Sequence, residues 1–166
     1  MKSKHTVIDN FLSDDEFLKV KNMMMGDLFP WYLNVGRVSR DDGDYQLTHT
    51  FYRNYCAESN WMGYIKPIVM KLNPLALIRI KANLSPKESE NRLGDFHCDV
   101  NLKKKAGLFT SIFYINTNNG YTVLRDGEKI ESVENRLLTF PYSIMHAGAS
   151  CTDENIRILI NFNYII

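Results

Sequence analysis

Helical periodicity stops at Asn73-Pro74, and the rest of the chain breaks into short strand signals separated by turns. The signals run 75–84, 94–100, 108–116, 121–125, 128–133, 136–140, 144–148 and 156–165. Asn119-Gly120 and Asp126-Gly127 are dipeptides that favour tight turns. Short strands at this spacing predict an antiparallel sandwich or jelly roll. Helices are expected only before residue 74, packed on one outer face of the sheets. The fold class is therefore mainly β with N-terminal helices.

The N-terminal part supplies those helices. Thr6-Val7-Ile8 reads as a short strand. Ser13-Asp14-Asp15-Glu16 has the form of a capping box, with Leu12 and Phe17 placed as a hydrophobic staple. Phe17, Val20 and Met24 then form one apolar stripe, and Gly26 ends the helix. Met23, Met24 and Met25 read as core filling. A loose strand pattern covers 29–38, Arg40 to Asp44 is a polar loop, and 47–56 reads as a strand containing His49. That lone histidine reads as structural. Trp61, Tyr64, Ile65, Ile68 and Leu72 recur at helical spacing, with Pro67 expected to kink the helix or start a new turn.

Composition excludes several classes. The chain has 166 residues and a net charge of +1, so it is sized for one domain, with no electrostatic case for nucleic acid or a membrane as partner. We read 1–74 as helical and strand support and 75–166 as the β core of a single domain. Three cysteines, Cys56, Cys98 and Cys151, form no CxxC pair and fit a reducing, cytoplasmic setting. No signal peptide is read at the N-terminus and no apolar run is long enough to span a bilayer.

Two strands alternate in an informative way. One face of 78–84 carries Arg79, Lys81 and Asn83; one face of 156–163 carries Arg157, Leu159, Asn161 and Asn163. Alternation alone favours solvent on those faces. A metal-ligand pattern between the two strands pulls the other way. His97 and Asp99 are two apart, so on a strand they share a face. His146, before Ala147-Gly148, can add a second imidazole. Two His and one carboxylate on one face of a metal leave three positions open, which suits non-haem Fe(II) and oxygen chemistry. An H-x-D triplet by itself is weak, and its ordinary reading is a surface turn. Arg157, eleven residues beyond His146, strengthens it. A buried Arg calls for an anionic partner, and its planar fork suits a carboxylate, so a small dicarboxylate cosubstrate is implied.

These residues carry a resemblance. The segment from about Leu77 to Ile166 resembles the 2-oxoglutarate/Fe(II)-dependent oxygenases, most closely the prolyl-4-hydroxylase-like group and its short phage-encoded members. The matching motifs are His97-x-Asp99, Ile112-Phe113-Tyr114-Ile115-Asn116, Asn135-Arg136-Leu137-Leu138-Thr139-Phe140-Pro141, His146 and Arg157. The resemblance implies a double-stranded β-helix, a jelly roll open at one end. It implies Fe(II) held by His97, Asp99 and His146, which would be both metal ligands and catalytic residues. Arg157 and Tyr114 would bind the far carboxylate of 2-oxoglutarate, with Asn83 near another cosubstrate position. O2 is the co-oxidant and ascorbate a reductant for the iron. Ile112, Thr122, Leu124, Asn161 and Asn163 would line the pocket.

The substrate implied by the resemblance is a prolyl residue in a peptide or protein. The same chemistry on a nucleobase, amino acid or other small molecule stays open, as does a silent jelly-roll binding module. The basic run Lys103-Lys104-Lys105 reads as a solvated loop, Cys98 as pointing away from the metal, Cys151 as exposed, and His5 as a disordered or surface residue.

Overall fold

The computed structural model describes residues 5–36, 45–100 and 107–166. The polar loop read at 40–44 and the lysine run at 103–105 lie outside the described residues. The elements are β1 (Thr6–Ile8), α1 (Asp14–Met25), β2 (Tyr32–Val35), β3 (Tyr45–Arg53), β4 (Cys56–Ala57), α2 (Met62–Leu72) and β5 (Ala76–Pro86). They continue with β6 (Leu108–Tyr114), β7 (Asn118–Leu124), β8 (Lys129–Ser132), β9 (Leu137–Pro141), β10 (His146–Gly148) and β11 (Ile156–Ile165).

Among the described residues, a large antiparallel sheet runs β1-β9-β6-β11-β5-β3-β2, with β4 paired to β3. A smaller sheet runs β10-β7-β8. Isolated bridges Leu93–Ala149 and His97–His146 add the 93–97 segment beside β10. Consecutive segments therefore alternate between sheets, as in a jelly roll: β5 in the large sheet, 93–97 in the small, β6 in the large, β7 and β8 in the small, β9 in the large, β10 in the small, β11 in the large. No helix of the described residues is long and apolar enough to cross a membrane.

Strand alternation separates two apolar clusters. The outward face of the large sheet presents Ile80, Ala82, Phe113, Ile115, Ile158, Ile160 and Phe162, which join Phe17, Val20 and Met24 of α1 and Ile65 and Ile68 of α2. Phe17 meets Phe113 edge-on at 6.2 Å between ring centroids. The inward face carries a second cluster of Ile112, Tyr114, Leu124, Ile130, Leu138, Phe140 and Leu159. Burying one such side chain contributes ~1.5–3 kcal/mol. The two clusters therefore fix which face of β5, β6 and β11 turns inward, since a one-residue slip would exchange them.

Local signals behave as their chemistry requires. The Ser13 N–H and hydroxyl both donate to the Glu16 carboxylate, at 3.3 and 2.9 Å, and α1 ends at Gly26. His49 is buried and structural: its Nδ1–H donates to the Pro30 carbonyl (2.8 Å) and its Nε2 accepts from the Ser59 hydroxyl (2.7 Å). Buried Asn135 holds the start of the chain against β9. Its Oδ1 accepts from Leu12 N–H and its Nδ2 donates to Leu12 O, both at 2.9 Å.

Several expectations are corrected. The 94–100 strand is reduced to its bridge at His97. Asn119-Gly120 is not a hairpin turn: it lies within β7, at a register shift between Asn118 and Tyr121. Its turn propensity is absorbed there as a bulge. Helix α2 runs through Pro67 without a new start. Cys151 is buried, with its Sγ on Glu154 O at 3.3 Å. His5 is part-buried, 3.3 Å from the Glu128 carboxylate.

Candidate active site

The inward polar faces of β5 and β11 turn into a pocket, with the Arg79 side chain 22% exposed. They line one cavity of about 320 Å³, together with the 94–99 segment, β7 and β10. Its walls include Arg79, Lys81, Asn83, His97, Asp99, Thr122, His146, Arg157 and Asn161. The solvent reading of the two alternating strands is thereby overturned. A polar face beside a single apolar face satisfies alternation equally well when it turns toward a pocket.

Backbone pairing brings the two imidazoles together. His97 and His146 exchange both backbone hydrogen bonds, each 3.0 Å. Directly opposed residues of an antiparallel pair project to the same side, and the rings lie 4.8 Å apart. Asp99 follows two residues on. One ligand atom from each of His97, Asp99 and His146 lies within 4.8 Å of the others.

The donor set fits a divalent metal. The His97 Nδ1–H donates to the Asp95 carbonyl at 2.9 Å, since a carbonyl can only accept. That fixes the tautomer and leaves the Nε2 lone pair for a metal. Asp99 is buried, its side chain 4% exposed. Its Oδ1 accepts from Arg79 Nη2 and Asn161 Nδ2, both at 2.9 Å. Among the described residues its Oδ2 accepts only from Asn163 Nδ2, at 3.1 Å, and it faces His146 Nε2 at 4.0 Å. The open lone pair is thus on the oxygen nearer the imidazole. Burial opposes the Asp99 charge, but Arg79, His146 and Asn163 outweigh it and hold the carboxyl below its ordinary value. Burial also lowers the His146 pKa. A low value keeps that imidazole neutral, the form that ligates.

A second polar cluster sits at the other end. Arg157 is 5% exposed. Its Nε donates to Ser132 Oγ (2.9 Å) and its Nη2 to Thr122 Oγ1 (3.3 Å). Tyr114 donates its hydroxyl to the same Thr122 oxygen at 2.8 Å. Tyr114 therefore reaches the cavity through Thr122 and is fully buried within the inner apolar cluster. Gly148, two residues after His146 and on its face, lies beside the guanidinium. A Cβ there would lie 3.5 Å from Arg157 Nη1.

The remaining sequence-selected residues divide. Ile112, Thr122, Asn83 and Asn161 line the cavity, and Asn83 Oδ1 and Asn161 Oδ1 are buried without a hydrogen-bond partner among the described residues. Asn163 instead clamps Asp99 and Thr110. Leu124, opposite His146 in the β10–β7 ladder, belongs to the inner apolar cluster. Cys98 is exposed and outside the ligand cluster. The Arg79–Asp99 ion pair is a residue contact that sequence reasoning misses. Alternation does place Arg79 on the inward face, opposite Asn163, which is the signal that could have paired it with a buried carboxylate.

No family model matches the chain, and no curated protein matches it in sequence. Solved structures do. The viral collagen prolyl hydroxylase from Paramecium bursaria Chlorella virus-1, solved with 2OG, matches with a TM-score of 0.64 at 14% identity, over 99% of this chain and 97% of that one. A prolyl hydroxylase from Trichoplax adhaerens, in complex with a hypoxia-inducible-factor peptide fragment, matches with a TM-score of 0.68 at 15% identity, over 99% and 84%. The non-haem α-ketoglutarate-dependent carbocyclase SnoK of nogalamycin biosynthesis matches with a TM-score of 0.65 at 10% identity, over 99% and 80%. The structural neighbours are thus 2-oxoglutarate/Fe(II)-dependent oxygenases, prolyl hydroxylases among them. At these identities the likeness is one of fold.

Proposed function

We propose that this chain is an Fe(II)- and 2-oxoglutarate-dependent dioxygenase that hydroxylates a C–H bond of its substrate and releases succinate and CO2. The observation that carries this reading is the convergence of His97, Asp99 and His146 in the cavity that Arg157 also lines. A prolyl residue in a peptide is the proposed target. It is supported by the sequence resemblance and by two neighbours that are prolyl hydroxylases, one of them bound to a peptide.

In this reading His97, Asp99 and His146 would hold the iron, a two-His, one-carboxylate donor set that suits Fe(II). When bound, the iron with 2-oxoglutarate and O2 supplies an oxidant able to replace an unactivated C–H hydrogen by hydroxyl. The protein's part is binding and orientation. Arg157 receives the far carboxylate of 2-oxoglutarate, a charge-assisted pairing in a buried setting. Gly148, whose added Cβ would lie 3.5 Å from Arg157 Nη1, stands two residues from His146, a step of ~7 Å along a strand, so the residues that would hold the metal and Arg157 are spaced for the two ends of one short dicarboxylate. Thr122 and Ser132 aim the guanidinium, and Tyr114 orients Thr122 from behind. Arg79, Asn161 and Asn163 keep Asp99 ionised and turned toward the imidazoles. Asn83 presents a buried acceptor midway between the two ends.

Equilibrium binding tests this reading. Wild-type protein should bind Mn(II), and then 2-oxoglutarate in the presence of Mn(II). His97→Ala, Asp99→Ala and His146→Ala should each lose the metal while keeping a native far-ultraviolet dichroism spectrum. Arg157→Ala should keep the metal and lose 2-oxoglutarate. Wild-type metal affinity in His146→Ala would sink the triad assignment.

A further inference from the structure

The cavity holds a cation that neither the metal cluster nor the Arg157 cluster uses. Lys81 lies on β5 between Arg79 and Asn83, on the inward face, and lines the cavity. In the ladders it stands opposite Asn161 of β11 on one side and Thr50 of β3 on the other. Arg79 is engaged by Asp99 and Asn163. Among the described residues, the Lys81 ammonium has no hydrogen-bond or ion-pair partner. Burial, with Arg79 beside it, lowers the Lys81 pKa to about 8, against the pull of Asp99. It is charged at neutral pH in a place that disfavours the charge, and an incoming anion would relieve this.

Charge and position both bear on what that anion is. Among the described residues, the lining carries three cations, Arg79, Lys81 and Arg157, and two carboxylates, Asp95 and Asp99. A divalent metal and doubly charged 2-oxoglutarate cancel each other, so these described residues leave one positive charge. Lys81 also stands at the metal end. Its ladder partner Asn161 is hydrogen-bonded to Asp99, whereas Arg157 is in register with Ser85. Ser85 and Lys81 are four positions apart on β5, ~13 Å along a strand. An anion at Lys81 is therefore distinct from one at Arg157. A cavity of about 320 Å³ lies at the lower end of ligand-site sizes, a size suited to the reacting portion of a substrate.

We propose that Lys81 receives a carboxylate of the substrate beside the metal, so that the substrate carries one negative charge close to the carbon that reacts. This rests on the oxygenase reading above. It deepens that reading by requiring a free acid or a peptide with an acidic group at the target, rather than a neutral peptide.

The test uses acetate labelled with ¹³C as probe and full-length protein loaded with Mn(II) and 2-oxoglutarate. Mn(II) speeds the relaxation of nuclei bound near it. Saturable relaxation enhancement of acetate is expected in wild type. It should weaken by about tenfold or more in Lys81→Met and persist in Lys81→Arg, a fold-change appropriate to one lost charge-assisted contact. The 2-oxoglutarate affinity, titrated separately, should stay within about twofold of wild type in both variants. Enhancement of equal strength in Lys81→Met would mean that the metal itself holds acetate, and overturns the proposal. So does absence of enhancement in wild type with metal and 2-oxoglutarate bound. Loss of 2-oxoglutarate affinity in Lys81→Met would assign Lys81 to the cosubstrate instead. If wild type binds neither Mn(II) nor 2-oxoglutarate, the oxygenase reading fails first and takes this one with it. Displacement of acetate by N-acetylproline or by a Pro-Asp peptide then tells a small acid from an acidic peptide.

Discussion

Gly120→Ala should loosen the grip on 2-oxoglutarate and leave the metal site intact. A Cβ at Gly120 would stand 2.6 Å from Arg157 Cδ, 2.7 Å from Asn118 Oδ1 and 2.9 Å from Arg157 Nε. Carbon atoms rest ~3.5–4.0 Å apart, so the Arg157 stem must retreat by about 1 Å. That stem aims the guanidinium. Its Nε donates to Ser132 Oγ at 2.9 Å, and a 1 Å retreat, roughly, takes this contact out of hydrogen-bond range. The Nη2 contact to Thr122, 3.3 Å, is already long. A charge-assisted hydrogen bond contributes ~1.5–3 kcal/mol, so losing one to the cosubstrate carboxylate weakens binding by about 10- to 150-fold. The atoms nearest the new methyl belong to Arg157 and Asn118, none to the metal cluster. Gly148→Ala is the milder companion, because its Cβ meets Arg157 Nη1 at an ordinary 3.5 Å. The assay is calorimetric titration of 2-oxoglutarate into Mn(II)-loaded protein. A folded Gly120→Ala protein with wild-type 2-oxoglutarate affinity would show that Gly120 does not set the Arg157 position, and so would equal losses of metal and cosubstrate.

Three further outcomes are expected. Arg79→Met removes the cation from a buried carboxylate and should cost the metal-free protein about 3 kcal/mol. Mn(II) should then raise the melting temperature more in this variant than in wild type, because the metal replaces the lost charge; calorimetry with and without Mn(II) reads both. Asn135→Ala deletes two hydrogen bonds to buried Leu12 and should destabilise by ~2–4 kcal/mol in chemical denaturation. His49→Gln should flatten the acid side of the stability profile. Burial holds the His49 pKa below its ordinary value, the Pro30 hydrogen bond only partly opposing it. The unfolded chain therefore takes up a proton first, and the stability present above a pH of about 6.5 is lost on acidification. Melting temperatures measured above and below that pH should diverge less in His49→Gln than in wild type.

Alternation carries the most information in the sequence. β11 and β5 each show one apolar and one polar face, and the structure keeps that division, with helices against the first and the cavity against the second. The spacing of His97 and Asp99 is legible because two residues on a strand share a face. Alternation cannot reveal the ladder partner. The Arg79–Asp99 pair depends on where the 94–99 segment folds back over β5, a long-range placement set by the β10 bridge at His97–His146. Asn119-Gly120 misleads for a related reason. The dipeptide has turn propensity, but the pairing of its neighbours Asn118 and Tyr121 with β8 and the crowding of Gly120 against Arg157 settle its use as a bulge. Resemblance assigns Tyr114 to the cosubstrate, and its hydroxyl donates to the same Thr122 oxygen that accepts from Arg157, a shared contact that no local pattern in the sequence reveals. The polar neighbours of Cys151 suggest exposure, yet the turn after β10 tucks it in against Glu154.

Succinate formation from 2-oxoglutarate, with Fe(II) and air, tests the oxygenase assignment at its chemistry. Wild type should turn over 2-oxoglutarate only with iron present, slowly alone and faster with an acceptable substrate. Folded His146→Ala should give none. Iron-dependent succinate at the wild-type rate from His146→Ala, or none from an iron-loaded wild type, would rule that assignment out.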